Sequence, residues 1–254
     1  MADTTPRAMI EIAGLQKSFG ATQVLTGINL AVPAGHTCVI LGGSGSGKTV
    51  MMKHMIGLLK PDAGRVVIDG EDLVPMGAEE LERVRRKFGM VFQAAALFDS
   101  LNIYENVAFP LREHTKLPEE EIRKRVRAKL DLMGLPRSVE NKVPADLSGG
   151  MRKRVGLARA IVMDPKIVLY DEPTTGLDPI STDYVDEMIL AAQRELGITS
   201  VVISHDISSA FNIADQIAFL SKGVILEEGP PERVRESRNP TVQHFLQTWF
   251  GKNE

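Results

Sequence analysis

Eight consecutive residues have the types and spacing that bind a phosphate group. They are Gly42, Gly43, Ser44, Gly45, Ser46, Gly47, Lys48 and Thr49, and they fit the pattern G-x-x-x-x-G-K-[ST]. Glycines let backbone N–H groups turn inward around an anion, and a helix that begins here adds its partial positive charge. In this pattern the lysine contacts the β- and γ-phosphates of a nucleotide, and the threonine hydroxyl binds magnesium.

The sequence on either side of this loop favours a binding site over a flexible glycine-serine turn. Residues 36–41 form a short apolar run with strand character, and residues 50–59 have the apolar spacing of a helix. A strand, a glycine-rich loop and a helix in this order are the context in which the pattern binds phosphate. We therefore predict that the loop, together with Val50 at the start of the helix, binds a nucleotide.

Four polar residues stand at the carboxyl ends of other predicted strands, where α/β proteins bind nucleotides. Asp171 closes an apolar run and can hold magnesium, while Glu172, directly after it, can accept a proton from an attacking water. Gln93 can position that water, and His205 can bond the γ-phosphate. Taken singly, a glutamine or histidine at a strand end is more often structural, but together with the loop these residues favour catalysis. Thr49, Gln93 and Asp171 are the candidate magnesium ligands.

A second set of inward-facing N–H groups is predicted at residues 147–150, which read Leu-Ser-Gly-Gly and precede a helix at residues 151–163. Ser148 is a natural N-cap, so Ser148, Gly149 and Gly150 form another anion site at a helix N-terminus. One nucleotide cannot readily use two such sites on separate lobes of one chain. A head-to-tail dimer can use both, with these three residues of each chain closing over the nucleotide of the other.

The composition argues against several classes of protein. The chain has 254 residues, of which 30 are basic and 33 acidic, and its net charge of −3 gives no electrostatic drive toward DNA or RNA. Its single cysteine, Cys38, lies in an apolar run and is predicted to be in the core, so no disulfide framework is possible. Residues 1–7 contain no apolar signal segment, and no run of about 18 apolar residues occurs. We expect a soluble intracellular protein that does not bind nucleic acid.

Alternating strands and helices predict an α/β core with a buried parallel sheet. Strands are predicted at residues 10–12, 28–32, 36–41, 65–68, 88–92, 166–170, 199–203, 216–220 and 224–227. Helices are predicted at residues 50–59, 79–86, 151–163, 179–196 and 207–214, and another begins at Pro118. Phe19 lies in a predicted loop ahead of the strand that leads into the phosphate loop, and it is either a core aromatic or a functional one.

The chain divides into a core, an insertion and a tail. Residues 94–163 are helical and lack buried strands, so they are predicted to form a helical subdomain inserted into a core of residues 1–93 and 164–229. Residues 230–254 form a helical tail. On one apolar face of that tail lie Val242, Phe245, Leu246, Trp249 and Phe250. This face either folds back on its own domain or docks on a partner.

The order of the motifs resembles that of the ATP-binding subunits of ABC transporters. From residue 10 to about residue 229 the chain carries the phosphate loop, a Q-loop at Gln93, the signature at residues 147–150, the Walker-B strand at residues 167–172, the D-loop Gly176, Leu177 and Asp178, and the switch His205. The resemblance implies a P-loop NTPase fold with a mixed sheet, an antiparallel β edge and the inserted helical subdomain. It also implies an ATPase whose two copies hold two ATP molecules between them, with Mg²⁺ as the metal.

The resemblance also assigns roles to particular residues. Glu172 is implied to be the catalytic base, and Phe19 to stack on adenine. Asp178 is implied to bind nucleotide together with the signature residues Ser148, Gly149 and Gly150. Two positions depart from the family pattern: Met151 follows the signature where most members have glutamine, and Phe19 replaces the usual tyrosine. Neither departure removes a catalytic group.

Three segments narrow the resemblance further. Residues 92–98, 106–115 and 147–151 are similar to those of the ATP-binding subunits of bacterial Mla-type phospholipid transporters. That resemblance implies a homodimer at the cytoplasmic face of the inner membrane, an integral membrane permease, an MCE-domain protein and a STAS-domain subunit as partners. The apolar residues 94–101, next to Gln93, are the expected docking site for the permease. An ordinary solute importer and an FtsE-like regulatory ATPase are the alternatives.

Overall fold

The computed structural model describes residues 7–250, apart from the side chains of residues 248–250. Its strands are β1 (Ala8–Phe19), β2 (Thr22–Pro33), β3 (Thr37–Leu41), β4 (Ala63–Ile68), β5 (Glu71–Asp72), β6 (Phe88–Val91), β7 (Ile167–Asp171), β8 (Thr199–Ser204), β9 (Gln216–Ser221) and β10 (Val224–Gly229). Its helices are α1 (Lys48–Met55), α2 (Ala78–Arg85), α3 (Ile103–His114), α4 (Glu119–Leu132), α5 (Gly149–Ile161), α6 (Pro179–Leu196), α7 (Ile207–Ile213), α8 (Pro231–Arg235) and α9 (Pro240–Phe250). Most of the N-terminal segment for which no signal peptide is predicted, residues 1–6, lies outside the described residues.

A six-stranded sheet at the centre positions the phosphate loop. Its order is β10-β9-β3-β8-β7-β6, and β9, β3, β8, β7 and β6 are mutually parallel. All five residues of β3 are buried, with Val39 and Leu41 in one core cluster and Cys38 and Ile40 in the other. Because both faces of β3 are covered, its sequence is apolar almost throughout. This confirms the prediction of a buried Cys38. Because five strands run parallel, their carboxyl ends lie at one edge of the sheet.

A four-stranded antiparallel sheet, in the order β2-β1-β4-β5, packs with α1 on one face of the central sheet. Ile10 and Ile12 of β1 lie opposite Val32 and Leu30 of β2, and all four are buried. The strands predicted at residues 10–12 and 28–32 are too short, because beyond Leu15 the hairpin pairing continues through polar residues that carry no apolar alternation. The mixed sheet and the antiparallel edge confirm the predicted fold class.

The helix after the phosphate loop is shorter than its sequence predicts. We expected it to reach residue 59, but α1 ends at Met55. Gly57 has a φ of +65°, a left-handed conformation that ends helices, and its N–H donates to the carbonyl of His54. The predicted cap of α5 is confirmed, since Ser148 Oγ accepts a hydrogen bond from the Met151 N–H at 3.3 Å, although α5 begins at Gly149 rather than Met151.

Between β6 and β7 the described chain contains helices and no strands. Val107 of α3, Val126 of α4 and Val155 of α5 are fully buried in one cluster with one face of the central sheet. Helix α3 was not predicted. Its N-cap is Asn102, whose side chain accepts a hydrogen bond from the Glu105 N–H at 2.8 Å. Pro118 precedes α4 as its N-cap instead of being its first residue.

The tail helix α9 folds back on the chain that carries it. Val242 and Leu246 are buried, and the ring of Phe245 meets the ring of Phe219 edge-on, with centroids 5.0 Å apart. These contacts follow the first of the two alternatives for the tail. The side chains of Trp249 and Phe250 lie outside the described residues. No helix within residues 7–250 combines the length and the apolar character that crossing a bilayer requires.

A buried carboxylate joins the helices that follow two of the candidate site loops. Asp186 of α6 is only 4% exposed, and its Oδ1 accepts a hydrogen bond from Ser209 Oγ of α7 at 2.5 Å. Burial raises the pKa of Asp186 to about 6, and the nearby carboxylates of Asp206 and Asp183 act in the same direction. The folded chain therefore holds a proton here, between about pH 4 and pH 6, that an unfolded aspartate releases.

Because the folded chain holds this proton, the free energy of unfolding falls as the pH rises. The contribution of protonated Asp186 is complete below about pH 4 and is lost as the pH rises through about 6. The free energy of unfolding of Asp186→Asn, measured relative to that of the wild type, should therefore rise by on the order of 2 kcal/mol when the pH is raised from 4 to 8. Urea unfolding at both pH values measures the difference. Glu187→Gln, on an exposed part of the same helix, is the control; a pH-independent difference for Asp186→Asn would contradict the assignment.

Candidate nucleotide-binding site

A cavity of about 640 Å³ lies at the edge where the parallel strands end. Its lining residues are Val24, Ser44, Gly45, Ser46, Gly47, Lys48, Thr49, Val50, Gln93, Asp171, Glu172, Thr175, Ile203 and His205. These residues come from the phosphate loop, from the ends of β6, β7 and β8, and, in the case of Val24, from the β1–β2 hairpin. The folded chain thus brings together most of the residues that the sequence singles out, although they come from segments far apart in the chain.

The phosphate loop has its shape because glycine is required at two close approaches. A Cβ atom on Gly42 would lie 2.2 Å from the carbonyl oxygen of Leu220, which no side chain can tolerate. Gly47 has a φ of +110°, and a Cβ atom there would lie 2.8 Å from Leu25 Cδ2. The first hydrogen bond of α1 runs from the Met51 N–H to the Gly47 carbonyl at 2.9 Å. The amides of residues 48–50 therefore precede the helical ladder and are oriented as an anion site.

Lys48 lies at the base of the cavity and bends over its own loop. Its Nζ donates to the carbonyls of Gly42 at 2.7 Å and Gly43 at 3.1 Å, and it lies 3.9 Å from Glu172 Oε1. Burial lowers the pKa of Lys48, and the carboxylates of Glu172 and Asp171 partly offset that effect. The ammonium group is thus a nearly buried positive charge, only 9% exposed, that faces the space where phosphate groups would sit.

Glu172 occupies a backbone conformation that is uncommon for a residue with a side chain. Its φ is +51°, and its N–H donates to the carbonyl of Ile203 on the neighbouring strand at 2.9 Å. Its Oε2 lies 2.6 Å from His205 Nδ1 and accepts a hydrogen bond from Thr175 Oγ1 at 3.2 Å. The carboxylate is held in place from two sides, as a general base must be. Left-handed residues that the fold maintains in this way cluster at functional sites.

Asp171 and two neutral oxygen donors face the same cavity. Burial raises the pKa of Asp171, followed by the repulsion of the Glu172 carboxylate, while Lys48 acts in the opposite direction. A partly desolvated carboxylate with the Thr49 hydroxyl and the Gln93 amide makes an all-oxygen donor set, which suits Mg²⁺ bound with phosphate oxygens and water. Within the described residues no group of three or more His, Cys, Asp or Glu forms a metal cluster by itself. The residues fit a metal that arrives with a phosphate.

Phe19 is neither in the core nor in the cavity lining. It is the last residue of β1, so its placement in a loop was wrong, and it is 48% exposed, which excludes the first of the two alternatives, a core aromatic. The Nζ atom of Lys17 lies 5.7 Å from its ring centroid. The β1–β2 hairpin presents the ring to solvent because Phe19 pairs with Thr22 across a tight turn. An exposed aromatic ring next to the hairpin that supplies Val24 to the cavity is available for stacking.

The signature residues and the D-loop lie beside one another outside the cavity. A Cβ atom on Gly150 would lie 3.6 Å from Ser181 Oγ, and one on Gly149 would lie 4.0 Å from Leu177 Cδ2. Asp178 caps α6 and accepts from the N–H of Ser181 at 3.0 Å. Ser148, Gly149 and Asp178 are exposed. The two motifs therefore form one exposed surface, separate from the cavity of the same chain.

Three residues of the cavity lining have no sequence signal that could have identified them. Val24 comes from the hairpin, Ile203 from near the end of the buried strand β8, and Thr175 from the loop after Glu172. Of these three, only Thr175 makes a polar contact through its side chain, with the Glu172 carboxylate. A threonine three residues after a candidate base is a pattern that, by itself, indicates a loop as readily as a site.

The comparisons with known proteins agree with this geometry. Residues 25–175, more than half of the chain, match the family described as ABC transporter. The chain belongs to the ABC transporter family. The folded core, the phosphate loop and the ordered motifs are those of its ATP-binding subunits, as the sequence predicts.

Two relatives show which ABC transporter ATP-binding proteins this chain is similar to. The chain is 46% identical over 237 residues to the probable ribonucleotide transport ATP-binding protein mkl of Mycobacterium tuberculosis, covering 93% of this chain and 66% of that protein. It thus spans just under two thirds of that relative's length. It is 40% identical over 238 residues to the intermembrane phospholipid transport system ATP-binding protein MlaF of Haemophilus influenzae, covering 94% and 90% of the two chains. This confirms the resemblance to Mla-type ATPases.

A solved structure matches the fold closely. The dimeric post-hydrolysis state of the ATP-binding cassette MJ0796, bound to ADP and Pi, has a TM-score of 0.79 and 33% sequence identity, with 88% of this chain and 99% of that chain covered. That protein therefore has the same fold as this chain and binds a nucleotide as a dimer.

Proposed function

We propose that this chain is the ATP-hydrolysing subunit of a bacterial inner-membrane ABC transporter of the Mla type, and that it dimerises on ATP to drive phospholipid transport between membranes. The observation that carries the proposal is the cavity, in which a buried lysine, a held carboxylate and an all-oxygen donor set surround one phosphate loop. The likeness to MlaF over nearly the whole chain supports phospholipid as the cargo.

The residues of the cavity divide the chemistry of hydrolysis among them. Lys48 and the amides of residues 48–50 bind the β- and γ-phosphates of ATP, and Gln93 orients the attacking water. Glu172 accepts the proton of that water, while His205 steadies both the carboxylate and the γ-phosphate. Thr49, Gln93 and Asp171 would hold Mg²⁺, which neutralises charge that develops on the phosphate oxygens. Phe19 stacks on the adenine ring.

Two copies of the chain share each nucleotide. Ser148, Gly149, Gly150 and Asp178 are predicted nucleotide contacts that lie apart from the cavity and the phosphate loop of the same chain. They lie on an exposed surface that continues into Ile180, which is 70% exposed. A head-to-tail homodimer applies this surface to the cavity of the partner, so that ATP binding closes the pair and hydrolysis opens it. The dimeric state of MJ0796 supports this arrangement.

A groove of about 510 Å³ beside Gln93 is the proposed docking site for the permease. Phe92, Phe98 and Phe109 line it and are about two fifths exposed, with the rings of Phe98 and Phe109 4.8 Å apart. The buried side chain of Asn106 fixes Phe98 from both sides, accepting from its N–H at 2.8 Å and donating to its carbonyl at 3.1 Å. The three phenyl rings thus form an apolar patch in the groove, with Phe98 held in place by Asn106. The Q-loop next to this patch links nucleotide state to the permease. It extends the predicted segment 94–101 to residues of β6 and α3.

The division into a core of residues 1–93 and 164–229, a helical subdomain of about residues 94–163 and a tail of residues 230–254 follows from the same proposal. The subdomain carries the signature and one side of the groove, so it transmits closure of the dimer to the membrane. The partners of a Mla-type system are an MlaE-like permease, an MlaD-like MCE-domain protein and an MlaB-like STAS-domain subunit. The chain then lies at the cytoplasmic face of the inner membrane, held there by the permease.

A second candidate function is uptake of a soluble compound. The printed name of the mkl relative, at 46% identity, assigns ribonucleotide transport to that protein. Mass spectrometry of the intact complex, extracted in detergent, distinguishes the two. An MCE-domain partner with bound phospholipid supports the first proposal, whereas a solute-binding protein supports the second.

The proposed docking of the permease in the groove can be tested in the same mass-spectrometry experiment with a variant of Phe109. Phe109→Glu should remove the permease from the extracted complex, because it replaces an exposed aromatic ring of the groove by a carboxylate that docking would have to desolvate. The ATP affinity of the isolated chain should remain unchanged. Leu58→Glu is the matched control, since Leu58 is 57% exposed and lies outside the groove. Full recovery of the permease with Phe109→Glu would mean that it binds elsewhere.

A further inference from the structure

Lys153 of α5 is a buried charge that neither the cavity nor the dimer surface includes. It is 9% exposed, and its Nζ donates to the carbonyl of Pro173 at 2.5 Å and to the carbonyl of Thr175 at 2.9 Å. It lies one helical turn after Gly150 in the signature. The side chain therefore connects the helix that carries the signature to the loop that follows Glu172.

The partners of Lys153 are neutral, which is unusual for a buried ammonium group. No carboxylate of the described residues forms an ion pair with it, and burial is what lowers its pKa. Burying a charge without a counter-charge is unfavourable for folding. An uncharged side chain would fill this space at lower cost, so packing alone does not account for the lysine. What the lysine provides is two directed hydrogen bonds to one backbone segment.

That segment is the one that holds the candidate base. Glu172 has a left-handed φ of +51°, Pro173 follows it and has no N–H to donate, and Thr175 Oγ1 donates to the Glu172 carboxylate at 3.2 Å. Within the loop the backbone bond nearest the base is long, since the Thr175 N–H lies 3.3 Å from the Glu172 carbonyl. The two bonds from Lys153 fix the carbonyls on either side of Thr174, and hence the direction in which Thr175 points.

We propose that Lys153 is a positioning residue that holds the loop of residues 172–178 in its working conformation and couples it to the signature of the same chain. This inference rests on the proposed ATPase function. In a head-to-tail pair the signature closes on the partner's ATP while Glu172 acts on the chain's own ATP. Lys153 therefore links the two nucleotide sites of the dimer, so that closure at one site orders the base at the other.

The test separates positioning from binding and from general stability. Lys153→Met should lower kcat roughly 10- to 100-fold, the scale expected when a catalytic group is slightly misplaced. The Kd for ATP should stay within about twofold, because no atom of Lys153 lines the cavity. The Hill coefficient for ATP should fall toward 1. Lys153→Arg should restore part of kcat, since a guanidinium can donate to both carbonyls.

Hydrogen exchange supplies a readout that needs no turnover. In Lys153→Met the amides of residues 174–178 should exchange faster, while those of β3 and β8 keep their protection. Lys129→Met is the matched control. Lys129 lies on another helix, α4, and its Nζ donates to Asp164 Oδ1 at 2.7 Å, so this variant removes a lysine hydrogen bond away from the loop. If Lys153→Met does not fold, Lys153→Gln takes its place. Its amide nitrogen lies one bond short of the position of the lysine Nζ, so both hydrogen bonds should weaken and the same losses are expected in smaller measure.

Three outcomes would overturn the inference: an unchanged kcat, unchanged exchange in the loop, or equal losses of ATP affinity, kcat and global stability. The last of these would show a structural lysine only. Failure of the proposed function is distinguishable, because the wild type itself would then hydrolyse no ATP, whereas the exchange experiment would still report on the loop.

Discussion

Replacing Glu172 by glutamine should stop ATP turnover while leaving ATP binding intact. Removing a general base lowers the rate by about 10²- to 10⁴-fold. Glutamine has the same shape and can still accept the hydrogen bond from Thr175 Oγ1, so the loop around it should not change. It also removes a negative charge that lies 3.9 Å from Lys48, at the end of the cavity where the γ-phosphate would sit. ATP affinity should therefore be equal to or higher than that of the wild type.

The variant should also trap the dimer. Because hydrolysis is what separates the two copies, Glu172→Gln with ATP and Mg²⁺ should elute as a dimer in size-exclusion chromatography, and the wild type should return to monomer as ATP is consumed. Glu195→Gln, an exposed glutamate on α6, should behave as the wild type. Normal hydrolysis by Glu172→Gln would refute the assignment of the base, and ATP-bound monomers would refute the shared site.

Replacing Lys48 by alanine should abolish nucleotide affinity at working concentrations. The ammonium group is nearly buried, so its attraction to phosphate is little screened by water. Losing one partner of a buried, charged hydrogen-bonded pair costs about 2–5 kcal/mol, which is a rise in Kd of about 30-fold or more. The variant also leaves the carbonyls of Gly42 and Gly43 without their donor, which loosens the phosphate loop.

Equilibrium titration with a fluorescent ATP analogue measures this loss. Lys53→Ala is the control, since Lys53 lies on an exposed face of the same helix and changes the net charge by the same amount. Affinity should fall with Lys48→Ala alone. A Kd for Lys48→Ala equal to that of the control would mean that the phosphate loop is not where the triphosphate binds.

The cavity could be predicted because its main parts are local or follow a general rule of sheets. The phosphate loop is one contiguous segment, so its pattern fixes its shape without reference to the rest of the chain. Gln93, Asp171 and His205 come from distant segments, but each stands at the carboxyl end of a parallel strand, and those ends meet at one edge. Their roles in catalysis remain predictions that the variants above test.

Other features were beyond the reach of sequence patterns. Helix α3 was missed because its apolar spacing is interrupted by Pro110, and the exposure of Phe19 follows from a hairpin turn that no periodicity reveals. Neither Lys153 nor Asp186 stands out in the sequence, since a lysine or an aspartate on a helix is usually solvated. Their burial depends on which side of each helix the neighbouring elements cover.

By itself the sequence determined the class of fold, the order of the motifs and the chemistry available to them, because backbone periodicity and glycine loops are set by neighbours along the chain. The tertiary structure alone decided which side chains meet: His205 with Glu172, Lys153 with the carbonyls of Pro173 and Thr175, Asp186 with Ser209. It also decided that the signature faces away from the cavity of its own chain. Such contacts join residues 20 or more positions apart, and their distances depend on how whole elements pack against one another.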